Sequence, residues 1–434
     1  MPSSIDDRSE ILIIGAGIIG ASVAFALAKA GHDVLVVDRG SGAGDGSTGA
    51  SAGIIRVHAT DAQSAALAAD SLVAWNDWAG FLGADPEDHL ARFVRCGSLI
   101  LDAGDGFVER VSAAMGEADV AFERWTLPDV EDRFPYLDLH RFGPPRSIEE
   151  ESFWDDPVDH LAGALYTPQS GYVSDPTLAA ADLMRAAQRA GARLRLSTEV
   201  GRIDRVGARV TGVTLADGTS IGADVVIAAA GPHTHALLGT IGGTDDFTIR
   251  TRRIREELVH VPAPPGLDLA TQGVHLVDGD LNINFRPDGG SALLGGSNGD
   301  LAEEQQAVDD PDVFERSVTA DAFERMTVRL ARRIPDLRIP RGRSGVVGLY
   351  DATEDWLPIY DRTRFDGLFV AMGTSGTQFK TAPVVGELVR HIVETEVAGR
   401  DHTSVPFRGP VGDREYATGQ FSRLRAPATG QARG

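Results

Sequence analysis

ILIIGAGIIGASVAFALAKAGHDVLVVD, residues 11–38, is the stretch whose reading decides the fold. ILIIG is a short apolar run and GAGIIG at 15–20 is a turn. ASVAFALAKAG then has the spacing of a helix packed on a sheet, with Gly31 placed to stop it in the left-handed conformation. HDVLVVDRG at 32–40 reads as a buried strand of the parallel kind. Strand, helix and strand within about thirty residues make a β-α-β unit, which needs a right-handed crossover and a sheet covered on both faces.

The turn is a G-x-G-x-x-G pattern in its proper setting, after a strand and opening a helix. Gly15 permits the tight turn, Gly17 lets backbone amides approach a pyrophosphate, and Gly20 lets helix and strand pack closely. Free amides and the helix dipole favour the negative charge there. Asp38, twenty-three residues beyond Gly15, is placed to accept from ribose hydroxyls. The motif alone leaves NAD and FAD open.

Working outward, composition narrows the classes. The 434 residues carry 41 basic and 63 acidic side chains, a net charge of −22, so a nucleic-acid or anionic-membrane binder is not expected. Cys96 is the one cysteine and forbids an internal disulfide framework or a multi-cysteine metal site. Ile11 to Ala28 approaches the length of a membrane span, but Asp6, Asp7, Arg8 and Glu10 precede it and glycines interrupt it. The expectation is a cytoplasmic protein without a targeting segment, of two or three domains. Of the 41 basic residues, only Lys29 and Lys380 are lysine.

Beyond Asp38, SGAGDGSTGASAGIIR at 41–56 holds five glycines in sixteen positions, so the backbone bends repeatedly or passes close to something. Residues 62–82 read as an amphipathic helix, FVRCGSLILDAG at 93–104 as a strand, 108–119 as a helix and 176–190 as a longer one. A hairpin turns at Asp217-Gly218. Strand-like alternation fills 245–300 with turn glycines at 289–290 and 295–296, and a helix is expected over 309–333. A last helix starts near Lys380, and from about residue 400 the chain reads as an extended tail. VVIAAAGPHT at 225–234 and MGTSGTQFKTAPVVGEL at 372–388 return the chain to the dinucleotide site. The latter opens a helix whose N-terminus can stabilise negative charge on the pyrimidine end of a flavin, which favours FAD.

In order, GAGIIGASVAFALAKAG, GSTGASAGIIR, GALYTPQSGYVSDP, VVIAAAGPHT, GLYDATEDWLPIYD and GTSGTQFKTAPVVGEL resemble the FAD-dependent D-amino-acid oxidase and sarcosine oxidase superfamily, over about residues 10–397. The resemblance implies an α/β fold: a discontinuous Rossmann-like, glutathione-reductase-like FAD domain with an α+β substrate domain on a mainly antiparallel sheet. The corresponding division is 8–92, 160–234 and 341–398 for FAD, 93–159 and 235–340 for substrate, and 399–434 as tail. The implied chemistry is hydride removal from a carbon bearing nitrogen, giving an imine that water hydrolyses. Motif and resemblance together place the cofactor on Gly15, Gly17, Ile18, Ile19, Gly20, Asp38, Arg39, Ser47, Thr48, Ser51, Ala52, Gly53 and Val200. From the later segments they add Ala230, Gly231, Gly348, Gly373, Ser375, Gly376, Thr377, Gln378 and Lys380.

Arg56, closing GIIR, and Lys380, closing GTQFK, match the cations with which the sarcosine and N-methyl amino acid oxidase branch grips a substrate carboxylate. Independently of the family, a carboxylate drawn into a dry site needs compensating charge, supplied as a planar fork by Arg and as a point charge by Lys. A structural ion pair is the alternative for Arg56. In a chain that otherwise uses arginine, a lysine inside a glycine-rich loop suggests a geometry that a guanidinium cannot meet.

The departures from the family pattern shape the substrate expectation. The positions of covalent flavin attachment fall on Gly348 and about Ala50, so the FAD is expected to be non-covalent, with Cys96 a small buried thiol. In NINFRPDGGSALLGGSN the active-site tyrosine position falls on Asn284 and that of the lysine promoting oxygen reaction near Leu294. Gly49 and Gly53 replace basic residues. A roomier pocket, a substrate bulkier than sarcosine and either oxygen or another acceptor follow.

His58, two residues past Arg56, is a candidate base or a hydrogen-bonded structural histidine. His233 and His235 lack a third ligand, and no metal site is expected. Arg250, Arg252, Arg253 and Arg255 read as a solvated face. Tyr350, Trp356, Phe285 and Tyr360 suit either pocket or core. The expected function is FAD-dependent oxidation of an amino acid or N-alkyl amino acid, oxidase slightly before dehydrogenase. A 2-hydroxy acid dehydrogenase and a flavin-bound assembly protein without turnover are the alternatives.

Overall fold

The computed structural model describes residues 8–157, 159–298, 306–410 and 414–428. β1 (Arg8–Ile14), α1 (Ile18–Lys29) and β2 (Val34–Val37) form the expected β-α-β unit, with β1 and β2 parallel from Ile11 against Val34 to Ile14 against Val37. α1 is buried from Ile18 to Ala28, packed against the sheet and against helices Pro176–Arg189 and Ala382–Val397. A helix covered on all sides is apolar on all sides, which is why residues 11–28 resemble a membrane span. Among the described residues, no helix is long and apolar enough to cross a membrane.

The unit belongs to an eight-stranded sheet in which Ser220–Ala228 lies parallel to β1 on one side and to Leu368–Met372 on the other. Ile14 pairs with Ala228, and Ala228 with Val370, so the loops starting at Gly15, Ala229 and Gly373 leave the sheet at one edge. The carboxyl ends of parallel strands are where open α/β sheets bind ligands. A second, nine-stranded sheet is mainly antiparallel, with one parallel pairing of His275–Asp278 on Ser98–Asp102, and carries its own core around Leu99, Phe134, Phe285 and Leu330. Gly163–Thr167 and Gly345–Thr353, inside segments expected to serve the FAD domain, are strands of this second sheet.

Several expectations are corrected. The strand at 93–104 is two, Phe93–Arg95 and Ser98–Asp102, in different sheets and separated at Gly97, whose φ is +76°. The helix at 62–82 divides into α2 (Ala62–Asn76) and Trp78–Leu82, because Asp77 caps the second piece by accepting from Gly80 N. The helix over 309–333 begins only at Ala320, capped by Thr319. Gly295 and Gly296 lie inside strand Ala292–Ser297, not in a turn; a Cβ on Gly295 would stand 2.0 Å from Asn284 O.

The arginine run is a solvated face only in part: Arg250 and Arg252 are exposed, whereas Arg253 and Arg255 are drawn inward. Arg253 donates to Pro232 O and Asp309 O, and Arg255, 5% exposed, pairs with Glu257 and donates to Glu315 O and Ser317 O. The tail is folded in as well. Phe407, Tyr416 and Phe421 are buried, and Arg425 grips both oxygens of Asp355 at 2.8 Å.

Candidate active site

The dinucleotide turn is built as its sequence requires. Gly15 has φ +112°, and a Cβ there would stand 2.4 Å from Ala229 O. Gly17 has no side chain with which to cap α1, so apart from the Ile18 amide, which Thr48 takes, the helix presents backbone amides at its start. Thr48 accepts from Ile18 N at 3.1 Å, bringing the early loop against the turn beside Ile19 and Gly20. Asp38 Oδ2 accepts from Ala16 N at 2.6 Å and Oδ1 from Gly40 N at 2.7 Å. Both oxygens keep further lone pairs, so the carboxylate is fixed at the rim and still able to accept. Ala230 and Gly231 follow directly on the strand beside β1, and Val200 opens strand Val200–Val206 opposite Leu215.

Arg39, next to Asp38, turns its side chain to another partner. Its guanidinium donates to Asp312 and sits 2.7 Å from His233 Nε2, which makes a clasp across two loops and holds the Asp312 carboxyl down to about 2.

The early loop continues across the second sheet. Ser47 donates to Leu349 O at 2.7 Å, and a Cβ on Gly348 would lie 2.8 Å from Ala50 Cβ. Ser51 accepts from Gly53 N, and Gly53 has φ +62°. From the other side, Asp351 holds the lysine loop: Gly373 N donates to its carboxyl at 2.6 Å and Ser375 N to its carbonyl at 2.9 Å. A Cβ on Gly376 would meet the Tyr350 ring at 2.2 Å. Gln378 accepts from Thr381 and Tyr360 through its side-chain oxygen.

Burial pushes the Asp351 carboxyl from 3.8 up to about 7. A raised folded-state value means that the native protein holds this proton where the unfolded chain has released it, so stability is present below about pH 4 and is lost as pH rises through 7. Subtracting the thermal midpoints of Asp351→Asn from those of the parent between pH 4 and 8 should give a difference that falls with pH; a flat difference contradicts the assignment.

Between these loops opens a cleft. Ser51, Ala52, Arg56, Asn284, Ser375, Gly376, Thr377 and Lys380, all singled out in the sequence, share its lining, as does Tyr350. Ile54, Ser297, Asn298 and Phe379 line it too and were missed; Ser297 ends strand Ala292–Ser297 and Asn298 follows it, and the antiparallel pairing of that strand with Ile283–Asp288 brings them beside Asn284. Phe285 and Tyr360 are core instead, at 1% and 0% exposure.

Arg56 and Lys380 are 8% and 5% exposed. Arg56 Nη1 donates to His58 O at 3.0 Å and Lys380 Nζ to Thr377 O at 2.8 Å. Among the described residues neither forms an ion pair, and the cleft lining contains no carboxylate. Burial lowers the guanidinium to about 10, and burial together with Arg56 pushes the Lys380 ammonium well below its usual range. A buried guanidinium beside a buried amine that can take up a proton, with no described counter-ion, is a site that an arriving anion stabilises.

Asn284 is oriented from behind. Burial brings His275 to about 3, so its imidazole is neutral; Nδ1 faces Ser98 Oγ and Nε2 faces Asn284 Oδ1, each at 2.8 Å. The Nε2 proton therefore goes to the amide oxygen, which leaves the Asn284 NH₂ as the free donor. His58 does not line the cleft. It is fully buried behind Arg56, stacked on His275 at 6.4 Å, and burial keeps it neutral. Cys96 donates to Gly97 O and its thiol is pushed up to about 11 by burial, which makes it inert.

The profile of the FAD dependent oxidoreductase family, DAO, matches residues 10–392. The chain belongs to this family. It is 27% identical to glycine oxidase of Geobacillus kaustophilus, over 91% of this chain and 95% of that one. It is 25% identical to a D-amino acid dehydrogenase of Xanthobacter autotrophicus, over 84% and 90%. The structure of L-proline dehydrogenase from P. horikoshii superposes with TM-score 0.75 at 21% identity, covering 96% of this chain and 98% of that one. This family member is therefore an enzyme whose cofactor is FAD, on the expected fold. The expected chemistry, oxidation of an amino acid C–N bond, agrees with these relatives. The glycine-lined turn, the uncapped start of α1 and the fixed Asp38 fit the group.

Proposed function

We propose that this enzyme oxidises the C–N bond of a small amino acid or N-alkyl amino acid, held by its carboxylate between Arg56 and Lys380. The observation that supports this most is the pair of buried basic side chains, without a described anionic partner, in one cleft. FAD, when bound, supplies the acceptor for the hydrogen and electron pair taken from the substrate. It would be held by the turn at Gly15, Gly17 and Gly20, the first turn of α1 at Ile18 and Ile19, Asp38, the loop from Ser47 to Gly53, Val200, Ala230 to Gly231, and the loop from Gly373 to Gln378.

The chain's residues bind and orient. Arg56 and Lys380 fix the carboxylate, Asn284 donates its NH₂ to a second acceptor, and Phe379 and Ile54 keep the reacting carbon out of water. With Gly348 against Ala50 and Cys96 inert, the FAD is non-covalent; acid precipitation should leave the yellow colour in the supernatant, and a yellow pellet would contradict this. The enzyme works in the cytoplasm on this reading.

The test is anaerobic mixing with a panel of amino acids, N-methyl amino acids and 2-hydroxy acids. Bleaching by the nitrogen compounds alone is expected. Bleaching by hydroxy acids alone, or by nothing, would overturn the reading, and the rate of colour return in air separates oxidase from dehydrogenase.

A further inference from the structure

An amino acid in neutral water is a zwitterion, and its ammonium nitrogen has no lone pair to support oxidation of the neighbouring C–H bond. A proton must leave before chemistry, yet among the described residues no carboxylate lines the cleft and His58 does not reach it. Among the described groups that line the cleft, Lys380 is the one whose ordinary chemistry lets it take up and release a proton, and burial together with Arg56 favours its unprotonated form. Among the described residues its Nζ has one hydrogen-bond partner, Thr377 O at 2.8 Å, a carbonyl that accepts from an amine as well as from an ammonium.

The charged surroundings are unfavourable to a second cation. Arg56 shares the cleft, and His58 and His275, packed behind it, are neutral. Asp61 acts from a distance and is occupied, capping α2 through Ser64 N and accepting from Gln420 Nε2. Burial and Arg56 accordingly push Lys380 down, as befits a lysine that serves as a base.

We propose that Lys380 is the proton acceptor for the incoming substrate: the N–H bond of the substrate ammonium breaks, its proton joins the Nζ lone pair, and the resulting lysinium pairs with the substrate carboxylate. The nitrogen of an α-amino acid lies two bonds from its carboxyl carbon, so a group touching the carboxylate is within a hydrogen bond of the ammonium. Charge is conserved within the cleft, with no proton taken from or given to solvent. One residue thus serves as base before the transfer and as counter-ion after it. This inference rests on the carboxylate reading above.

The test measures protons rather than turnover. Propionate, a carboxylate without an amine, is titrated into the holoenzyme by calorimetry at pH 7.5 in two buffers of different ionisation enthalpy. Binding with uptake of about one proton per site is expected, because the anion arrives at a neutral lysine and draws a proton from buffer. Binding without uptake would leave the carboxylate reading standing and overturn the proton role. Absence of binding would overturn both.

Lys380→Arg supplies the second arm, since a guanidinium keeps the charge but cannot deprotonate. It should bind propionate without proton uptake. Its kcat/KM near pH 7 should fall on the order of 100-fold or more and recover tenfold per pH unit, because only substrate already neutral at nitrogen then reacts. Proton uptake persisting in this variant, or a pH profile parallel to that of the parent, would contradict the assignment.

Discussion

Replacing Lys380 with Met should raise the apparent substrate KM by about 100-fold or more and, at the same time, raise the thermal midpoint of the substrate-free enzyme by about 1–5 °C. The two effects have one cause. Lys380 is 5% exposed, without an ion-pair partner among the described residues and beside Arg56, so the folded protein bears the cost of burying it until a carboxylate arrives. Methionine fills a similar volume without that cost, and it cannot pair with a carboxylate. A residue of purely structural value would lose stability on replacement. Steady-state kinetics and a melting curve on the same preparation check both signs; a lower melting temperature with an unchanged KM would remove Lys380 from the site.

Gly15→Ala should yield a folded but colourless protein, with FAD affinity lower by about 1,000-fold or more. The added methyl meets Ala229 O at 2.4 Å and must adopt φ +112°, where a side chain is strained whatever the space. The loop can yield only by moving off the strand Ser220–Ala228, which displaces the amides at the start of α1 from the position in which they meet a pyrophosphate. The ratio of flavin to protein absorbance, read with far-ultraviolet circular dichroism to confirm folding, measures the loss. Normal flavin content would show that the turn has slack that the contacts do not suggest.

What could be read in the sequence divides along a physical line. The β-α-β unit is written locally: three glycines at fixed spacing, a four-residue apolar strand and Asp38 determine one another within thirty residues. Arg56 and Lys380 were found through their motifs, but their convergence depends on strands β3 (Ile54–Ile55) and Leu368–Met372 arriving from distant parts of the chain. Ser297, Asn298 and Phe379 had no local mark, since their place is fixed by sheet pairing and by loop 373–381. The arginine run was legible only in part, because charge on a strand says nothing about the partner; Arg250 and Arg252 are exposed, but Arg255 turns inward to Glu257 and to two carbonyls of a loop sixty residues away. The C-terminal segment misled because its few anchors, Phe407, Tyr416 and Phe421, are diluted among Gly, Pro and Arg. Its grip extends to the site: Tyr416 and Arg414 bind Asp70 of α2, whose Ser71 and Trp75 donate to the carbonyls of Thr381 and Lys380.

Lys380 and Arg56 also explain the one compositional oddity. Arginine serves elsewhere in this chain as a multi-pronged staple to carbonyls and carboxylates, as Arg333 does in binding Asp278 and Asp280. In the cleft a group that can lose its proton is needed, and there the chain uses one of its two lysines.

The most direct measurement of the central claim is anaerobic flavin reduction by a matched pair, an amino acid that bleaches the enzyme and its methyl ester. Recognition through Arg56 and Lys380 predicts that removing the carboxylate charge lowers the reduction rate at limiting substrate by about 100-fold or more, with the same loss for the acid on Lys380→Met and little further loss for the ester on that variant. Equal reduction by acid and ester, or additive losses, would contradict the account.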